Sequence, residues 1–121
     1  MVRTPMPVLD APKAAACCAP IASADLTDEE AEATATLFRA LGDANRVRIM
    51  NRLATSPVPA CACVLNEDLA ISQPTMSFHL KKLVDAGILS RERRGVWAYY
   101  SIDTEAARRI RGVLELEEED R

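Results

Sequence analysis

The apolar period of this chain changes at Gly87, and few folds accommodate such a change. Upstream of it, apolar residues recur at spacings of three and four: Val47, Met50, Leu53 and Ala54, then Leu65 and Leu69, then Met76, Leu80, Leu83 and Val84. Such spacing lays one side of a helix against a core. Downstream, Ile88 to Ile102 alternates around Arg93-Arg94-Gly95 and returns through Val96-Trp97-Ala98-Tyr99-Tyr100, a β-rich run that reads as a charged hairpin. The link Ile71-Ser72 is too short for anything but a tight turn, so the predicted order is two short helices closely joined, then a hairpin.

Local signals place the helix ends. Thr27-Asp28-Glu29-Glu30 matches a capping box and opens a first helix with Thr34, Leu37, Phe38 and Leu41 on one face. Gly42 is expected to stop it in a left-handed conformation, and Asp43 to cap a second helix over about Ala44 to Ala54, ending before Pro57 and Pro59. A short helix from about Ala62 to Ala70 follows. Ser72 then caps, and Pro74 enters the first turn of, a helix that Gly87 closes. Asp103 or Thr104 caps a last helix with Ala106, Ile110, Val113 and Leu114 in phase. Residues up to Ala24 carry Pro5, Pro7, Pro12 and Pro20 without a sustained apolar period, and read as a flexible arm.

The 121 residues allow one hydrophobic core. The expected organisation is an N-terminal arm at 1–25, a winged helix-turn-helix domain at 26–117 and an acidic tail at 118–121. The fold class is mainly α with a small β-hairpin. No stretch approaches the roughly 18 apolar residues that would span a bilayer, so no membrane role is expected. Asp10, Lys13 and the prolines interrupt any signal-like segment before Cys17, which points to a cytoplasmic, reducing location.

The net charge of −3 hides a division along the chain. Between Arg39 and Tyr100 nine Lys or Arg face five Asp or Glu, whereas the flanks hold six against thirteen. A phosphate backbone responds to the local field, although a solvated mixed surface would have the same composition. In a winged helix-turn-helix the second helix of the pair enters the major groove of double-stranded DNA. On that helix the positions left free by packing are Gln73, Thr75, Ser77, Phe78, His79, Lys81 and Lys82, none of them acidic. Gln can pair with adenine, hydroxyls with either base type, and Lys with phosphate. The candidate DNA contacts are therefore Gln73, Thr75, Ser77, His79, Lys81 and Lys82, with Arg91, Arg93 and Arg94 of the hairpin reaching an adjacent minor groove or backbone. A local packing role is the alternative for His79. Trp97, Tyr99 and Tyr100 are read as gluing the hairpin to the helices rather than as stacking on bases.

Four segments together resemble the ArsR/SmtB metal-sensing repressors: Phe38-Arg39-Ala40-Leu41-Gly42-Asp43, Arg46-Val47-Arg48-Ile49, Ser72-Gln73-Pro74-Thr75-Met76-Ser77-Phe78-His79-Leu80 and Ala86-Gly87-Ile88-Leu89. The resemblance covers roughly residues 30 to 102. It implies a homodimer formed through the first and last helices, bound to an inverted repeat and released when a metal or metalloid binds. Cys61-Ala62-Cys63-Val64-Leu65 resembles a Cys-Val-Cys-Asp-Leu segment frequent in that family, with the acidic residue missing. Some members complete such a site with arm cysteines of the other protomer.

The four cysteines form two pairs, Cys17-Cys18 and Cys61/Cys63. Thiolates are soft ligands, no carboxylate or imidazole lies near either pair, and the spacings differ from those usual in structural zinc sites. The candidate inducer is As(III) or Sb(III) held by Cys17, Cys18 and one of Cys61 or Cys63, with Cd(II) or Pb(II) on all four as the rival. Two alternatives stand beside these: Cys61 and Cys63 as small buried hydrophobes with Cys17-Cys18 incidental to the arm, and a redox switch, which would have to link the arm to Cys61 or Cys63 because adjacent Cys17 and Cys18 pair poorly with each other. No cysteine has a nearby base, so an enzyme is not expected.

Overall fold

The computed structural model describes residues 18–116. Within them, residues 18–37 and 109–116 form one compact unit and Phe38–Arg108 a second.

Helix α1 (Asp28–Leu41), which begins in the first unit, opens with a reciprocal capping box. Thr27 Oγ1 accepts the Glu30 N–H at 3.0 Å, and Glu30 Oε1 accepts the Thr27 N–H at 2.9 Å. Order begins earlier than the prolines suggest. The Ala19 N–H donates to Thr34 Oγ1 at 3.0 Å, and the Ile21 N–H donates to the Val113 carbonyl at 3.1 Å near the end of helix α5 (Thr104–Val113). The reading of residues up to Ala24 as a flexible arm is thus qualified at Ala19 and Ile21, whose backbone N–H groups find partners. Residues 1–17 and 117–121 lie outside the described residues, and with them most of the expected arm and the expected acidic tail.

The second unit holds helices α2 (Ala44–Ala54), α3 (Ala62–Leu69) and α4 (Gln73–Asp85), and strands β1 (Ala60–Cys61), β2 (Leu89–Arg94) and β3 (Trp97–Ile102). The sheet is antiparallel in the order β1-β3-β2, with Leu89 opposite Ile102 and Arg94 opposite Trp97. The expected hairpin is present, turned at Gly95 with φ +66°. A third strand, too short to show a period, was not expected. It pairs Ala60 with Tyr100 and Cys61 with Tyr99.

Ile49, Leu65, Met76, Leu80, Leu83 and Ile88 are fully buried and make the core of this unit. Two sequence expectations change here. On α2 the buried pair is Ile49 and Leu53, while Val47 is 54% exposed and Ala54 is exposed. Two apolar stripes coexist on that helix, and only packing selects one. Gly42 does not take a left-handed conformation. A Cβ there would lie 3.3 Å from the Phe38 carbonyl and 3.7 Å from that of Arg39, so its lack of a side chain relieves a close approach. Among the described residues the non-glycine residue that takes the left-handed conformation is Ala70, φ +54°, which ends α3 at about 1–2 kcal/mol of backbone strain. That conformation makes the tight turn into Ile71, which is buried.

Candidate nucleic-acid interface and cysteine site

Helix α4 separates cleanly into two faces. Met76, Leu80 and Leu83 anchor it, Gln73 is exposed in its first turn, and Thr75, Ser77, Phe78, Lys81 and Lys82 stand exposed away from the anchoring stripe. Pro74 occupies its first turn as expected. Ser72 sits at the N-cap position without a side-chain capping bond, and its hydroxyl donates to Thr75 Oγ1 at 3.0 Å instead. Lys81 is engaged by Asp85 one turn on, at 3.1 Å.

His79 is not on the outward face. It is 6% exposed, and its Nδ1 accepts a hydrogen bond from Arg46 Nε at 3.0 Å. That bond leaves the ring's single proton on Nε2, 3.8 Å from Asp43 Oδ1. Its heptad position lies beside the Met76–Leu80–Leu83 stripe, and the local hydrogen-bonding alternative describes what is seen. Arg46 also donates to the Ala40 carbonyl at 3.3 Å and the Arg39 carbonyl at 3.5 Å, joining the end of α1 to α2 and α4. Asp43 caps α2, accepting from Asn45 N–H at 2.8 Å and Arg46 N–H at 3.2 Å. Partial burial opposes its charge, but the N–H groups of Arg46 and Asn45, and then the electrostatic influence of the His79 ring and the Arg46 guanidinium, outweigh it. The carboxyl therefore titrates below its ordinary range.

Arg48 and Arg52 of α2 serve α3. Arg48 donates to the Leu69 carbonyl at 2.7 Å, satisfying an orphan acceptor at the helix end, and Arg52 pairs with Asp68 at 2.8 Å. The exposed basic set is carried by α4 and the hairpin, where Arg91, Arg93 and Arg94 are all exposed. The Arg94 guanidinium lies 4.7 Å from the Tyr99 ring centroid and 3.2 Å from Glu92. Tyr99 and Tyr100 are half-buried, but Trp97 is 54% exposed, which corrects its expected gluing role. It pairs with Arg94 at the turn end of the ladder.

Cys61 closes β1 and stands as the N-cap of α3, and Cys63 lies in the helix's first turn. The chain turns between them, their Cα atoms are 5.4 Å apart, and the two form a disulfide. A redox link was expected only through the arm; the bend from strand to helix lets this pair close on itself. Reduced, the same geometry brings two soft donors together, which fits two positions of a thiolate-bound ion. Cys61 is buried and Cys63 exposed. Cys18 is a half-buried free thiol in the other unit, and Cys17 lies outside the described residues. Among the described residues no group of three or more His, Cys, Asp or Glu is assembled to hold a metal, and no helix is long and apolar enough to cross a membrane.

The profile of "Bacterial regulatory protein, arsR family" matches residues 43–91, from the cap of α2 to the first hairpin strand. The arsenical resistance operon repressor of Bacillus subtilis is 38% identical over 68 residues, covering 56% of this chain and 64% of that repressor. An uncharacterized HTH-type transcriptional regulator of Methanocaldococcus jannaschii is 34% identical over 91 residues, covering 75% of this chain and 98% of its own length. Among solved structures, the homodimeric winged helix-turn-helix DNA-binding domain of a possible ArsR-family regulator from Mycobacterium bovis superposes with a TM-score of 0.60 at 24% identity, over 71% of this chain and 82% of that one. The family match thus runs through the helix pair and into the first hairpin strand, and with the regulator covered over nearly its whole length it establishes that the chain belongs to the arsR family of winged helix-turn-helix transcriptional regulators, which are not enzymes.

Proposed function

We propose that the chain is a metalloid-responsive repressor. A reduced homodimer, formed through α1 and α5, holds an inverted repeat in operator DNA in the cytoplasm and releases it when thiolates capture As(III) or Sb(III). The observation that carries this reading is the position of Cys61 and Cys63. Cys61 belongs to a strand hydrogen-bonded to hairpin strand β3, Cys63 to the first turn of α3, and α3 packs on α4. A bond network closed across the two sulfurs would therefore change the seat of the reading helix and of the hairpin together. A coupling of about 1–3 kcal/mol alters DNA affinity about 5- to 150-fold, enough for derepression. Support also comes from the Bacillus subtilis relative, which is named for arsenical resistance. Cys17 and Cys18 are proposed as the remaining ligands, supplied by the arm.

In this reading Gln73, Thr75 and Ser77 read base edges, Lys81 and Lys82 meet phosphates, and Arg91, Arg93 and Arg94 follow the neighbouring groove. His79 acts behind them, by fixing Arg46. The Cys61–Cys63 disulfide favours a second reading, a thiol redox-responsive repressor; Cd(II) or Pb(II) on all four cysteines is the rival ion set. Titrating reduced protein with As(III), Cd(II), Pb(II) and Zn(II), while following thiolate absorption and operator binding together, ranks the ions. Failure of As(III) to release DNA from reduced protein would sink the metalloid reading, and release by peroxide alone would favour the redox one.

A further inference from the structure

Phe78 has no place in the scheme above, yet it occupies the middle of the outward face of α4. It is 52% exposed and lies almost diametrically opposite the buried Met76–Leu80–Leu83 stripe. Among the polar residues around it, a half-exposed benzyl group gains nothing from solvent.

Its ring is also held in place. The buried His79 imidazole packs against it edge to face, with centroids 5.5 Å apart and planes at 66°. His79 is fixed in turn by Arg46. The Arg46 guanidinium and the Lys82 ammonium stand 5.7 Å and 5.4 Å from the ring centroid. The side chain is therefore an apolar platform braced from behind and flanked by two cations. Bracing removes ordering cost on binding, and flanking cations suit a surface that meets bases with phosphates on either side.

Of the groups displayed in the major groove, only the thymine C5-methyl is apolar and projecting. We propose that Phe78 is a specificity-determining residue that reads a thymine methyl in each half-site. This rests on the reading that α4 enters the major groove. Gln73, Thr75 and Ser77 then supply hydrogen bonds and Phe78 supplies the apolar contact, a division of labour that adenine–thymine pairs satisfy.

The test uses the reduced full-length protein. Bound duplexes are selected from a randomised pool, and each thymine of the selected site is replaced by deoxyuridine, which removes only the methyl. One position per half-site is expected to lose about fourfold in affinity, the amount for one methyl returned to water. Phe78→Ala should bind the methylated site correspondingly less well and become indifferent to deoxyuridine at that position alone. Phe78→Leu should keep part of the sensitivity. Equal deoxyuridine penalties in wild type and Phe78→Ala would overturn the assignment, as would a selected site in which no thymine responds. A change of oligomeric mass in Phe78→Ala with unaltered methyl sensitivity would overturn it in favour of a contact between copies. If no duplex is selected at all, the major-groove reading falls first and this inference with it, a result distinct from the others.

Discussion

Helix α4 buries Met76, His79, Leu80 and Leu83 along its length, whereas α3 buries Leu65 alone. The difference lies in how each helix is retained. Helix α4 is seated on the core by its own side chains, and displacing it would open that core. Helix α3 is retained mainly at its two ends: Arg48 and Arg52 hold its C-terminus, and the Cys61 strand pairing and the disulfide hold its N-terminus. A helix gripped at its ends can be re-seated by changing one grip. One gripped along its length transmits that change as a rigid body. The candidate input cysteines lie on the first kind of helix and the candidate reading residues on the second.

The largest expected effect tests the anchoring of α4. Leu80→Ala should cost about 2–5 kcal/mol in chemical unfolding, because it empties a fully buried position. Leu69→Ala, on half-buried α3, should cost clearly less; equal losses would remove the contrast between the helices. Next in size is the input. In reduced protein, Cys61→Ser with Cys63→Ser should bring the ratio of operator affinities without and with As(III) from the proposed 5- to 150-fold down to one. A ratio that stayed high would move the input elsewhere, with the Cys17→Ser, Cys18→Ser pair as the place to look.

A smaller effect is expected on the outward face of α4. Lys82→Ala should weaken binding uniformly across sequences and lower the salt slope of binding by about one, as removal of one phosphate contact does. A sequence-dependent loss would mean that Lys82 reads bases. The smallest effect concerns the cap of α2. The Asp43 carboxyl is depressed in the folded protein, so its contribution to stability is fully present above the ordinary 3.8 and is lost as pH falls through the lower folded value. Melting temperature followed against pH should show this acid-side loss in wild type and a shallower one in Asp43→Ala. Parallel profiles would show that the cap bonds do not depend on ionisation.

Much of the scaffold was legible because its signals are local. The Thr27–Glu30 box, the Asp43 cap, the Pro74 entry, the Gly87 stop with φ +78° and the Asp103 cap, which accepts the Ala106 N–H at 3.0 Å, each need only neighbouring residues to work. The stripe of α2 was misread because Val47–Met50–Leu53–Ala54 and Ile49–Leu53 share Leu53 and are both plausible faces of one helix. Strand β1 was missed because two residues carry no period.

Periodicity, capping and motif spacing are properties of the chain read in one dimension, and they were enough for the order of helices and hairpin, the polar and basic residues displayed by α4, and the family. Packing between elements settled which outward residues remain outward. It turned His79 in to bind Arg46, left Phe78 and Trp97 exposed, assigned Arg48 and Arg52 to α3, and brought Cys61 and Cys63 together across a strand-to-helix bend. Each of these depends on a partner contributed by another element, or on a turn of the backbone, and spacing along one helix does not specify what lies across from it.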